Sequence, residues 1–416
     1  MKITLICMIA GMLLSSPDTL VRRNSRAEVL SDVGRAGGVH YMYPSGQVRP
    51  TAPPKGYKPF YISHVGRHGA RYALGATVYE DQWSVWSHAR QKGWLTPAGE
   101  TLYEAYAQLF PEVTRREGNL TQKGQEQHRQ IARQMHGWFP AVFKGKTRAE
   151  ASSTGVHRVI VSMFSYLDQL DDLDRNFDVV ADYGYPYQRY LLPDVIDAPT
   201  VLPDSVQLKF RIFRDENLDC RAILGRWFTA ADSLVADPYR FCSALHTIVS
   251  TLDNLDCDIP SALWTAFTPE ERYRFWRVDN YSSYLRLGMS PEVENVRPEA
   301  MRALWADIVD RTARDWADGI ALRLRFAHDS TLLPLLSLLD VNGMGARVSL
   351  PDDVEDYWRT FDIPMAANLQ LVFFRSRRNP DILVQVLLNG QEAILPIPMA
   401  APGSFYRWAD IIQYYK

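Results

Sequence analysis

Six residues in three short stretches carry side chains suited to holding and attacking an anion. Residues 60–72 read FYISHVGRHGARY, an apolar run that ends in Arg67-His68-Gly69-Ala70-Arg71. Guanidiniums present fixed forks of N–H donors that match phosphate oxygens, and an imidazole between them can attack phosphorus. Gly66 and Gly69 are read as letting the backbone turn sharply and come close to a ligand. In SSTGVHRVIVS (152–162), Arg158 lies one turn into a helix that follows a strand, with Ser153 and Thr154 as candidate caps; a helix N-terminus is a natural anion site. In LRLRFAHDSTLLPLLSLL (322–339), a strand ends in His328-Asp329, and Ser330 or Thr331 can cap the apolar helix that follows. Taken singly, these are a solvated strand end, a surface arginine and a capping carboxylate. Taken together they supply a nucleophile, several cationic donors and one acid, all near the C-terminal ends of strands, where open α/β sheets place their sites. That set suits phosphoryl transfer, where positioning and charge neutralisation do most of the work.

The elements that must position these residues follow an α/β plan. Apolar strands are predicted at residues 60–69, 147–154, 321–329, 368–376 and 382–390. Between the first two, residues 79–145 carry helical patterns, including TPAGETLYEAYAQLF, with Thr96 as N-cap and Pro97 at the first helical position, and a second helix capped near Thr121. A long stretch of helices and Pro-rich connections separates the second strand from the third. The predicted organisation is a signal peptide over 1–20, an extended Gly/Pro-rich lead-in over 21–56, and the first part of an α/β core over 57–174 with its helical insert. A helical cap follows over 175–300, and the second part of the core over 301–416.

Bulk composition sets limits on function. With 416 residues, 46% hydrophobic and 23% charged, the chain has the make-up of a large globular protein. A formal net charge of -2 gives no global field for nucleic acid or acidic lipid, so anion binding must be local. The first residues, MKITLICMIAGMLLSS, have one lysine and then an apolar stretch too short for a comfortable membrane span, the layout of a signal peptide. Export is therefore expected, to a periplasm, cell surface or medium. Cys220, Cys242 and Cys257 then permit one disulfide and one free thiol, and spacing does not choose the pair. His64 and His68 are four apart, as in helical metal sites, but glycines break any helix there, and no metal or other cofactor is expected.

The R-H-G-x-R at 67–71, the S-S-x-x-x-x-R ending at Arg158 and the H-D at 328–329 resemble the histidine phosphatase superfamily. More narrowly they resemble its histidine acid phosphatase branch, which includes phytases and multiple inositol polyphosphate phosphatases. The resemblance runs over roughly residues 57–395 and takes in the strand AANLQLVFFR and the tail VLLNGQEAILPI. Two departures leave the subfamily open. The first block reads RHGARYAL, without the Pro-Thr common in phytases, and His-Asp stands where multiple inositol polyphosphate phosphatases often have His-Ala-Glu.

The resemblance implies a phosphoglycerate mutase-like core, a mostly parallel sheet flanked by helices, with an inserted helical cap. It assigns His68 as the nucleophile that forms a phosphohistidine and Asp329 as the proton donor. Arg67, Arg71, Arg158 and His328 hold the phosphate oxygens. The implied activity is hydrolysis of phosphate monoesters, inositol polyphosphates or phytate first among them, with a small phosphomonoester as the only required partner. Rival readings are a broad-specificity acid phosphatase, a bisphosphoglycerate-type phosphatase of the same superfamily, and a catalytically weak phosphate-ester binding protein. Cations for extra phosphates are sought in the helical segments, at Arg211, Arg214, Arg221, Lys123 and Arg129. The other histidines, His40 among them, are read as surface or packing residues.

Overall fold

The computed structural model describes residues 22–194 and 201–416; the predicted signal peptide over 1–20 lies outside the described residues. Strands β1 (Tyr57–Arg67), β2 (Thr147–Ser153), β3 (Phe177–Tyr183), β4 (Leu322–Ala327), β5 (Asn368–Ser376), β6 (Leu383–Leu388), β7 (Gln391–Glu392) and β8 (Phe405–Arg407) form one sheet. Their order is β3-β2-β4-β1-β5-β6-β7, with β8 also on β6. The half that carries the candidate residues, β3-β2-β4-β1, is parallel throughout; β5 then runs antiparallel to β1.

Both faces of β4 are covered. Leu322, Leu324 and Phe326 of β4 face a core shared with the helices Gln122–Trp138 and His157–Leu173. The alternate residues Arg323 and Arg325 are buried on the other face. Each has its carboxylate there. Arg323 Nε donates to Asp315 at 2.9 Å, and Arg325 Nη2 pairs with Asp307 at 2.8 Å. Removing either partner alone would leave a buried charge uncompensated. On that same face of the sheet, Tyr61, Val65 and Phe373 pack with Leu332, Leu336 and Trp408.

Thr96 and Thr121 cap their helices as predicted, accepting from the N–H groups of Gly99 and Gly124. Strand β3 was not predicted, because FDVVADY is a half-exposed edge strand with acidic residues in it. The lead-in is extended only from about residue 42. Before that, Ser25–Ser31 is an α-helix and Val33–His40 a 3-10 helix, because the side chains of Asn24 and Asp32 cap their first N–H groups. This segment is clamped against the core. Asn254 Nδ2 donates to the His40 carbonyl at 3.0 Å, the Met365 N–H to the Tyr41 carbonyl at 2.8 Å, and the Arg67 guanidinium to the Val39 carbonyl.

Two helical segments far apart in the chain share one core. Trp86 and Tyr106, from the helices Val78–Lys92 and Pro97–Val113, pack with Trp227, Phe228 and Phe241 of the later segment. The Trp86 and Phe228 rings stand 4.6 Å apart. The helix Pro269–Leu287 links this body to the sheet: its Phe275 enters the helical core, and its Val278, Tyr281 and Tyr284 enter the core beside β1. Cys220, Cys242 and Cys257 are free thiols, and Cys242 Sγ lies 3.9 Å from the Cys220 carbonyl oxygen. Among the described residues, no helix is long and apolar enough to cross a membrane.

Candidate active site

Three parallel strands end at one level. In the register Arg67 pairs with Ala327, and Ser153 with Phe326, so β1, β4 and β2 deliver their following residues to the same rim of the sheet. The six predicted residues converge there. The His68 and His328 rings lie 5.7 Å apart, and Arg67 Nη2 is 3.4 Å from Asp329 Oδ1. Arg71 follows on the β1 loop, and Arg158 points in from the first turn of the His157–Leu173 helix. His157 itself is exposed.

The backbone of His68 is held on two sides. Its N–H donates to the Ala327 carbonyl at 3.1 Å, and its carbonyl accepts from Ala366 N–H at 2.9 Å. Ala366 reaches that position with φ 57°, a left-handed conformation that costs about 1–2 kcal/mol for a residue other than glycine. The next residues are pinned by the two helices: Gly69 N–H donates to Ser162 Oγ at 3.1 Å, and Ala70 N–H to Gln127 Oε1 at 2.8 Å. Neither Gly66 nor Gly69 has positive φ. Their absent side chains serve close packing instead. A Cβ on Gly69 would lie 2.2 Å from the Gly124 carbonyl oxygen, and one on Gly66 2.5 Å from His64 Nε2. The turn-and-ligand role read from the sequence is therefore replaced by a helix and a histidine that press on the loop.

The predicted caps are used differently. Ser153 Oγ donates to the Thr154 carbonyl, and Thr154 Oγ1 lies 3.1 Å from His328 Nε2, so Thr154 orients the histidine rather than a helix. The helix after β4 begins at Asp329 itself, and the hydroxyl of Thr331 donates to the Leu191 carbonyl. His64 faces Tyr166 and Phe326 on the covered side of the sheet, with Nδ1 3.3 Å from Gln370 Nε2.

The electrostatics are those of a site waiting for an anion. His68 Nδ1 is 2.9 Å from the Gly69 carbonyl oxygen. With the proton on Nδ1, the Nε2 lone pair is free. Burial, then Arg67, Arg71 and Arg158, hold the imidazole well below the usual histidine range, so it stays neutral. His328 is pushed down to about 3 by burial and Arg158. Burial and Arg67 bring Arg71 down to about 9. Arg67 Nε and Nη2, Arg71 Nε and Arg158 Nε have no hydrogen-bond partner among the described residues; buried donors of this kind are normally satisfied. For Asp329 burial pushes upward, but Arg67, Arg71 and His328 outweigh it and hold the carboxyl at about 2.

Asp329 also marks a border. From it opens a cavity of about 600 Å³ whose walls include His40, His246, Asp279, Arg286 and Arg297. His40 and His246, expected from the sequence to be surface or packing residues, line the cavity instead, and the other three were not singled out in the sequence. His40 is brought by the clamped lead-in, and Asp329, Arg67 and Arg71 all act on its ring. The cations predicted to serve extra phosphates are engaged elsewhere or lie outside this wall: Arg214 pairs with Asp215, Arg221 with Asp232 and Arg129 with Glu126, and Lys123 Nζ donates to the Asp253 carbonyl. Arg211 is exposed.

By sequence, no family model and no curated protein matches this chain. Solved structures do match. The multiple inositol polyphosphate phosphatase of Bifidobacterium longum, in complex with inositol hexasulfate, superimposes with a TM-score of 0.70 at 15% identity, covering 92% of this chain and 97% of that one. The phytase of D. castellii gives 0.71 at 14% identity, over 92% and 84%. This chain has the fold of those phosphatases. The phytase of Citrobacter braakii is more distant, with a TM-score of 0.52 at 12% identity. At such identities the shared fold positions strand ends and helices; the side chains must be argued from their own chemistry.

Proposed function

We propose that the protein is a metal-independent phosphomonoesterase that works through a phosphohistidine on His68. The observation that carries this reading is a neutral imidazole with a free Nε2, set among buried arginine donors that lack partners and beside one carboxyl group. The phosphoryl group of the ester sits between Arg67, Arg71, Arg158 and His328. The lone pair on His68 Nε2 attacks phosphorus in line. The bond to the ester oxygen breaks, and its electron pair goes to the leaving oxygen, which takes a proton from Asp329. Water then attacks the phosphohistidine and gives a proton to the Asp329 carboxylate. The P–N pair returns to Nε2, and inorganic phosphate leaves.

In the empty site Asp329 is ionised across ordinary pH. Bound phosphate supplies negative charge that cancels the pull of Arg67 and Arg71, and burial then pushes the carboxyl upward. The proton it needs arrives with the ester as the monoanion. Inositol polyphosphates such as phytate are the proposed substrates, supported by the fold shared with a phosphatase solved with inositol hexasulfate. Export is proposed on the layout of residues 1–20.

The test is phosphate release from phytate and from p-nitrophenyl phosphate, with EDTA present, by wild type and His68→Ala. Release by wild type and none by the variant supports the reading. An inert wild type, or one stopped by EDTA, overturns it.

A further inference from the structure

The chamber beyond Asp329 is where the leaving alcohol must lie, because the proton donor stands at its inner end. Its outer wall is one face of the helix Pro269–Leu287. Trp276, Asp279, Ser283 and Arg286 recur there at helical spacing and all line the cavity. Asp279 is unusual for a chamber that accepts phosphate esters. No hydrogen bond or ion pair to its carboxylate forms among the described residues, and the residue lines the cavity. Nearer the rim, Arg286 is exposed and, among the described residues, its hydrogen bonding is through Nε to the Ser282 carbonyl at 3.1 Å.

A second phosphate beside Asp279 would bring like charges together, whereas a hydroxyl there would donate to it. The guanidinium one helical step outward favours the reverse. Resting on the phosphatase reading above, we propose that Asp279 and Arg286 sort the substituents of the leaving polyol. Asp279 takes a free hydroxyl and Arg286 a second phosphate. Among inositol polyphosphates the preferred substrate is then one that bears both, and phytate, phosphorylated at every carbon, is accepted less well.

The sorting has a pH dependence. Burial pushes the Asp279 carboxyl up to about 7, with Arg286 opposing. Below that pH it is neutral and above it is an anion, so rejection of a second phosphate strengthens as pH rises through 7. Facing the same space are His246 from the Pro238–Ser250 helix, His40 from the lead-in, and Arg297 and Asp329; Tyr239, close enough to feel the Asp279 charge, is not in the cavity wall. Burial lowers both histidines to about 3, so they do not titrate in this window.

The experiment compares kcat/KM for myo-inositol hexakisphosphate, which has no free hydroxyl, with that for glycerol 2-phosphate, which has two, at pH 5 and pH 8. Asp279→Asn should move the ratio toward the hexakisphosphate by roughly tenfold at pH 8 through KM, and by less at pH 5, the scale of one partly screened charge. Arg286→Gln should move it the other way. Equal effects on both substrates, or shifts of the same sign in the two variants, would overturn the proposal. Calorimetric binding of the hexakisphosphate to His68→Ala, with and without Asp279→Asn, gives a second readout that needs no turnover. The added change should tighten Kd at pH 8, and an unchanged or weaker Kd counts against the chamber even if the chain proves not to be a phosphatase.

Discussion

At the scale of single residues, the site trades stability for charge. Arg71 is held at about 9 because burial and Arg67 disfavour its proton. A base depressed in the folded chain costs stability at every pH below its folded value, and the cost fades only as pH rises from there toward the unfolded value. Arg71→Met should therefore stabilise the empty protein, by about 1–2 kcal/mol at pH 7, while removing turnover; thermal melting and phosphate release measure the two. Adding inorganic phosphate at about 100 times its Kd should raise wild-type stability by ~2.7 kcal/mol, and the variant should gain much less. For Asp329→Asn the loss should depend on the leaving group, about 10²–10⁴ for alkyl phosphates and far smaller for p-nitrophenyl phosphate, whose phenolate leaves without a proton. A uniform loss across a leaving-group series would remove Asp329 from the acid role. The six residues were legible because each lies at a strand end or within five residues after one, and the local pattern announces those strand ends. His40, Asp279 and Arg286 were not. They meet the site through packing of distant segments, and nothing beside them in sequence marks that.

At the scale of elements, the loop that carries His68 is shaped by what presses on it. Gly69→Ala must push the Gly124 end of its helix away, because the new methyl group would meet the Gly124 carbonyl. The expected cost is about 1–3 kcal/mol, with kcat falling and KM changing less, because the displaced group is the proposed nucleophile; denaturant melts and steady-state kinetics check it. The sequence marked both glycines but could not give their reason, since the partner surface comes from another helix. The helix caps at Thr96 and Thr121 were readable because capping is local. Ser153 and Thr154 obeyed the same local rule and were put to other uses by tertiary contacts, and β3 escaped notice because its alternation of Phe177, Val179 and Ala181 is short and blurred by an exposed Val180.

At the scale of the whole molecule, the helices Val78–Lys92 and Pro97–Val113, before β2, and the helix Pro238–Ser250, after β3, belong to one body. Trp86→Ala, in its centre, should cost about 3–5 kcal/mol and melt the helical body ahead of the sheet, visible as early hydrogen exchange around Phe228 and Phe241. Sequence order hid this union, since the two segments carry matching apolar faces but no shared motif. The sheet has a similar non-locality, and it sets a timetable. β1, which leads into the loop that carries His68, lies between β4 and β5, and those begin only at Leu322 and Asn368. A chain emerging from the ribosome therefore makes its central strand early and leaves both edges bare until most of the protein has been synthesised. Those edges must be shielded by a chaperone or by delay, and the candidate site is among the last things to exist.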